Sequence, residues 1–175
     1  MDPKKIAFEY FVYQLHNWYK EAYGNINFND LSTLKVLKLL FFTVAAGTNR
    51  NSVDTLLDNT FNNFCAMPYG HVESDVYTYI KYKQLHNISL DTSDSSIIAD
   101  NFNIDSELKK KIDDQILIIK TINFNLIKYT SFELVDLSHN WYSWQKNYEE
   151  AKSKGIYSQP ISVNDIKSEI KIYQL

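Results

Sequence analysis

Cysteine is almost missing from this chain. Cys65 stands alone, which excludes an intramolecular disulfide and a cysteine-based zinc site. Its neighbours Phe64 and Ala66 point to a small buried apolar role. Glycine and proline are scarce as well, at four and three in 175 residues. A sheet-rich domain needs many tight turns, so this shortage favours helices. Of 18 basic residues only Arg50 is arginine; with abundant Asn and Ile, that speaks of an AT-rich genome rather than of function. There is no basic excess, since the net charge is −3. A dedicated nucleic-acid-binding domain draws much of its affinity from phosphate neutralisation, so the balance argues against one. The run Lys109-Lys110-Lys111 reads as the solvated face of a helix. The densest apolar run, residues 34–46, is broken by Lys35 and Lys38 and is too short to span a bilayer. The opening MDPKKIAFEY has charges too early for a signal peptide. A reducing, cytoplasmic setting is expected.

Aromatic residues are plentiful, with 13 tyrosines and an aromatic share of 15%. The chain is long enough for one domain with a real core and too short to make two. Helical spacing recurs along it. Asp2-Pro3 suits a helix start, Ala7, Phe11, Leu15, Trp18 and Tyr19 share a face, and Gly24 suits a stop. The next helix, LSTLKVLKLLFFTVAAG, is capped by Asn29 or Asp30 and apolar nearly all round, as a buried central helix would be. Lys35 and Lys38 are expected to mark its one wet edge. Residues 48–63 read as a connection. After the Pro68-Tyr69-Gly70 turn, Val72, Val76, Tyr79 and Ile80 share a helical face, with Glu73 and Asp75 in its first turn. Residues 90–105 read as an internal polar loop. A long helix from Asp105 or Ser106 follows, with Leu108, Ile112, Ile116, Ile119, Ile122 and Leu126 at three- and four-residue intervals and its end left open by Asn-Phe-Asn at 123–125. Thr130 and Glu133 form a capping box opening a stripe of Leu134, Leu137, Trp141, Trp144 and Tyr148. Trp144 is expected to be buried at its end. Ser162 caps a last helix with Ile166, Ile170 and Tyr173 on one side. The expectation is one all-α domain over residues 1–175, of about six to seven helices, with at most a short β-ribbon near residues 64–67.

Chemistry is hard to find. His16, His71, His86 and His139 are too far apart for a metal motif, and no HExxH, GxSxG or Gly-rich phosphate loop occurs. Adjacent acids such as Asp113-Asp114 and Glu149-Glu150 point apart on a helix. Beside the aromatic stripe, His139 reads as a partly buried imidazole bonded to a backbone carbonyl. No catalytic residue, no metal, no cofactor, no small-molecule substrate and no membrane association is expected. Gly70 supplies a backbone conformation that a side chain would forbid. Tyr69, His71 and Tyr77 are expected around an exposed turn, with Glu73 nearby. Tyrosine combines a rigid apolar ring with a hydrogen-bonding tip, so these four are the candidate partner contacts.

Three stretches, LKVLKLLFF at 34–42, PYGHVESDVY at 68–77 and FELVDLSHNWYSW at 132–144, occur in an order that resembles the Panacea domain, a SocA-like antitoxin domain of bacteria and phages. That family looks like "kLqKLlYfa", then "YGPVxxxVY", then "eLxxlsHxxxxW". On these stretches the matching structural positions are Lys38, Gly70, Val72, Val76, His139 and Trp144. One departure is His71, where the family usually has Pro, which would suit the first turn of a helix. The resemblance implies an antitoxin that neutralises a protein toxin encoded by an adjacent gene through direct contact. The alternatives are a phage or mobile-element accessory protein that binds another host factor, and a DNA-binding autoregulator.

Overall fold

In the computed structural model, which describes residues 2–175, α1 runs over Pro3–Tyr23. The Asp2 side chain accepts from the Lys4 N–H, and the helix leaves through Gly24 at φ 80°. Its face of Ala7, Phe8, Phe11, Leu15 and Trp18 is buried. The second helix, α2 (Thr33–Ala45), starts from Ser32, whose hydroxyl accepts from the Lys35 N–H. Asn29 is used differently: its side chain ties the entering loop to Ser95. Every residue from Lys35 to Ala45 is buried, so the helix has no wet edge. Lys35 reaches Asp30 at 2.7 Å, while Lys38 turns inward onto a backbone carbonyl.

The region read as a connection holds one helical turn, α3 (Leu56–Asn59), closed by a Thr55–Asp58 capping box. Strands β1 (Phe64–Met67) and β2 (Gly70–Glu73) follow. They pair antiparallel from Phe64↔Glu73 to Met67↔Gly70, leaving Pro68 and Tyr69 as the turn. The next helix, α4 (Ser74–Lys81), therefore begins later than expected. Glu73 is its cap, accepting from the Val76 N–H, and Val72 belongs to the strand.

Residues 90–105 are not wholly loop. A hairpin of β3 (Ile88–Leu90) and β4 (Ser95–Ile97) occupies their first part. The long α5 (Ser106–Ile122) ends at Asn123, whose side chain accepts from the Asn125 N–H and opens a 3-10 turn, Phe124–Lys128. Thr130 and Glu133 form the expected capping box of α6 (Ser131–His139). The aromatic stripe is then broken at Asn140, which ends α6, and α7 (Tyr142–Ser153) starts anew after Trp141. A two-residue strand, β5 (Gln159–Pro160), joins the free edge of β1, so the small sheet has the order β2-β1-β5. The last helix, α8 (Val163–Ser168), stops before Ile170, which is exposed rather than packed.

The described residues are 55% helical in eight helices with a few short strands. One apolar cluster runs from Ala7 to Tyr173. At its centre, α2 touches α5, α6 and β2. This arrangement brings the three motif stretches together, because α2 carries the first, β2 and α4 the second, and α6 with α7 the third.

Candidate functional site

The three stretches meet at Gly70. Its φ of +97° is one that L side chains rarely adopt. A Cβ there would sit 2.4 Å from the Ser138 hydroxyl and 3.2 Å from the Lys38 Nζ. Glycine is thus required twice, by conformation and by space.

His71 is fully buried, which takes it off the exposed turn. Its imidazole lies flat on Phe41, with ring centroids 3.6 Å apart and planes 8° apart. Nδ1 and Nε2 each lie 2.8 Å from a hydroxyl, those of Ser138 and Ser143. Its backbone N–H donates to the Ser138 Oγ at 3.1 Å. Position 71 lies in a strand, not in a helical first turn, and the residue here uses an N–H that proline lacks. Burial, aided by the nearby Lys38 charge, holds the imidazole well below its ordinary pKa.

Lys38 donates to the carbonyl of His71. Burial lowers its pKa to about 7. Glu73 is fully buried too. It accepts from Lys4 at 2.8 Å and from the Val76 N–H at 2.8 Å. Burial raises the Glu73 carboxyl against both pulls. Lys4 is also raised; its own burial opposes this, but the carboxylates of Asp75 and Glu73 outweigh it. The ammonium gains from the pair while the more deeply buried carboxylate bears the desolvation. Glu73 therefore anchors α1 to the start of α4 and offers no surface to a partner.

The outer side of this cluster is aromatic. His139 Nε2 lies 3.1 Å from the Pro68 carbonyl, matching its expected role. Trp144 donates to the Met67 carbonyl at 2.8 Å and stacks on His139 at 3.8 Å and 17°. Tyr148 stacks on Trp144 in turn. Trp144 is only half-buried; Trp141 is the core indole, packed against Phe41 and Phe42. Val72 and Val76 are buried beneath the turn. Tyr69 stays 58% exposed and meets Phe132 edge-on at 6.4 Å. Tyr77 is exposed on α4 and joins neither ring.

Of the four candidate contacts, then, Tyr69 and Tyr77 are at the surface, and His71 and Glu73 support it from within. Sequence reasoning missed Ser138, Ser143 and Phe132. The two serines fall on the inner side of α6 and α7, and only knowledge of the helix break at Asn140 places both against one histidine.

A hollow lies elsewhere, between α4 and the β3–β4 hairpin, lined by Ile80, Lys83, Leu85, Ile88 and Leu90 among others. Among the described residues no cluster of His, Cys, Asp or Glu could hold a metal ion. No helix among the described residues is long and apolar enough to cross a membrane.

The family model described as antitoxin SocA-like, Panacea domain, matches residues 36–145. The match covers more than half of the chain and, but for the first two residues of the first, all three meeting stretches, and the chain belongs to that family. No curated protein and no solved structure matches it.

Proposed function

We propose that this chain is the antitoxin of a toxin–antitoxin pair. It binds a protein toxin encoded by an adjacent gene, blocks it by direct contact in the cytoplasm, and carries out no catalysis of its own. The observation that supports this reading is the Pro68–Tyr69 turn. His139 holds the Pro68 carbonyl and Trp144 holds the Met67 carbonyl just before the turn, and the Lys38–His71–Ser138 cluster lies beneath it. A rigid exposed tyrosine loses little conformational freedom on binding.

The test is co-expression of the adjacent gene's product with and without this chain in a bacterial host. Growth rescue and co-purification are expected with the wild type. Tyr69→Ala is expected to weaken both while leaving the circular dichroism spectrum unchanged. Absence of rescue and of a complex with the wild type would overturn the reading.

A further inference from the structure

We propose that the face formed by Tyr69, Phe132 and Asp136 receives an arginine side chain of the partner protein. This rests on the antitoxin reading for its partner, and on geometry for its chemistry.

Phe132, Asp136 and His139 fall on one side of α6, at the spacing that makes helical residues neighbours. Phe132 is 64% exposed and Asp136 is exposed. Tyr69 reaches this side from the β1–β2 turn, and its ring meets that of Phe132 at 74°. The two exposed rings meet edge to face, and Asp136 lies one helical turn beyond Phe132 on α6.

This face has no cation of its own. Other tyrosines carry a lysine: Lys81 over Tyr82, Lys109 over Tyr10, Lys128 over Tyr23 and Lys152 over Tyr148. Neither Tyr69 nor Phe132 has one among the described residues. Asp136 enters no ion pair there either. The nearby lysines are committed elsewhere, Lys35 to Asp30 and Lys38 to the His71 carbonyl. Burial, with the Lys38 charge, keeps the His139 imidazole below its ordinary pKa, against its bond to the Pro68 carbonyl and the pull of the Asp136 carboxylate.

Exposed aromatic rings near a carboxylate that has no ion-pair partner suit a guanidinium better than an ammonium. The planar guanidinium stacks on a ring while its forked N–H groups reach a carboxylate. An acidic chain with a net charge of −3 would also attract a basic partner surface.

The direct test is an NMR titration of the full ¹⁵N-labelled chain with two blocked tripeptides, acetyl-Gly-Arg-Gly-amide and its citrulline counterpart. The arginine peptide is expected to shift the amides of Tyr69, Phe132, Asp136 and His139 saturably. The citrulline peptide, equal in shape but uncharged, is expected not to. Asp136→Asn and Tyr69→Leu should each weaken the arginine response about fivefold, and their own spectra report whether they fold. Equal shifts with citrulline, or arginine shifts scattered over other acidic surfaces and indifferent to Asp136→Asn, would overturn the proposal.

A second arm uses the adjacent gene's product. If the wild type forms the complex, Asp136→Arg should abolish it. A complex that survives Asp136→Arg removes this site and leaves the antitoxin reading standing. If the wild type forms no complex, the antitoxin reading falls, and the tripeptide titration still decides the chemistry of this face.

Discussion

The ammonium of Lys38 is bonded to the backbone carbonyl of His71, with no carboxylate paired to it among the described residues. A charge so placed is desolvated with only a dipole in return. The chain tolerates this because the same ammonium fixes the strand that carries the turn.

The cost should be visible as pH dependence. Burial brings the folded-state pKa of Lys38 from 10.5 to about 7. Between those values the unfolded chain holds a proton that the folded chain has released, so stability rises with pH. We expect the denaturant midpoint to climb from about pH 7 to about pH 9.5, before tyrosine ionisation intervenes. Lys38→Met should remove most of that climb. A climb of the same size in Lys38→Met would show that another group is responsible.

On the acid side His71 acts in the same sense. Burial depresses its folded-state pKa well below 6.5, so its contribution is present above the unfolded value and is lost as pH falls below it. His16 and His139 are lowered as well, chiefly by burial. His71→Gln, which can still hydrogen-bond, should therefore flatten the loss of stability below about pH 6.5 without abolishing it. Equilibrium unfolding at several pH values measures the slope.

Gly70→Ala should be far more damaging than Gly24→Ala. Both glycines have positive φ, but a Cβ at Gly24 meets nothing within 4 Å, while at Gly70 it would overlap Ser138. We expect a cost of about 1–2 kcal/mol at Gly24, from backbone conformation alone. At Gly70 overpacking adds to it, for a total of about 3–4 kcal/mol. Urea denaturation of the two variants makes the comparison, and equal costs would mean that Ser138 yields without penalty.

The two indoles of the third stretch should part company. Trp141 is fully buried and donates to the Ile172 carbonyl at 2.9 Å. Its truncation to alanine should cost about 3–5 kcal/mol. Trp144 loses one hydrogen bond and a half-exposed stack, so Trp144→Ala should cost about 1–2 kcal/mol. A larger loss at Trp144 than at Trp141, read from denaturant midpoints, would reverse this ranking.

Much of the fold was legible because helices announce themselves locally. Asp2-Pro3, Gly24 and the Thr130–Glu133 box act within a few residues of themselves, and the structure uses all of them. What was not legible depends on partners distant in sequence. Lys35 and Lys38 read as a wet edge because lysine is almost never fully buried. Only the Asp30 carboxylate and the His71 carbonyl make it possible here. His71 and Glu73 read as surface residues because they flank a turn; strand pairing with β1 turned them inward. The break between α6 and α7 has no proline or glycine to mark it, and it decided which tryptophan enters the core. Tyr69 was legible as exposed, whereas its neighbour Phe132 was not, since the helix that carries it folds back over the turn.

The first helix sets a limit on what can be cut away. Trp18 donates to the Phe124 carbonyl, Lys4 grips Glu73, and Glu9 accepts from the Asn87 backbone. Each of these ties crosses the boundary of residues 36–145, the span that the family model recognises. The recognised motif is therefore smaller than the cooperative unit. A fragment trimmed to it would strip away the apolar face of Phe8, Phe11 and Leu15, leaving a bare patch on what remains. Such a fragment would stick to many surfaces, and its binding would say little about the partner of the intact chain.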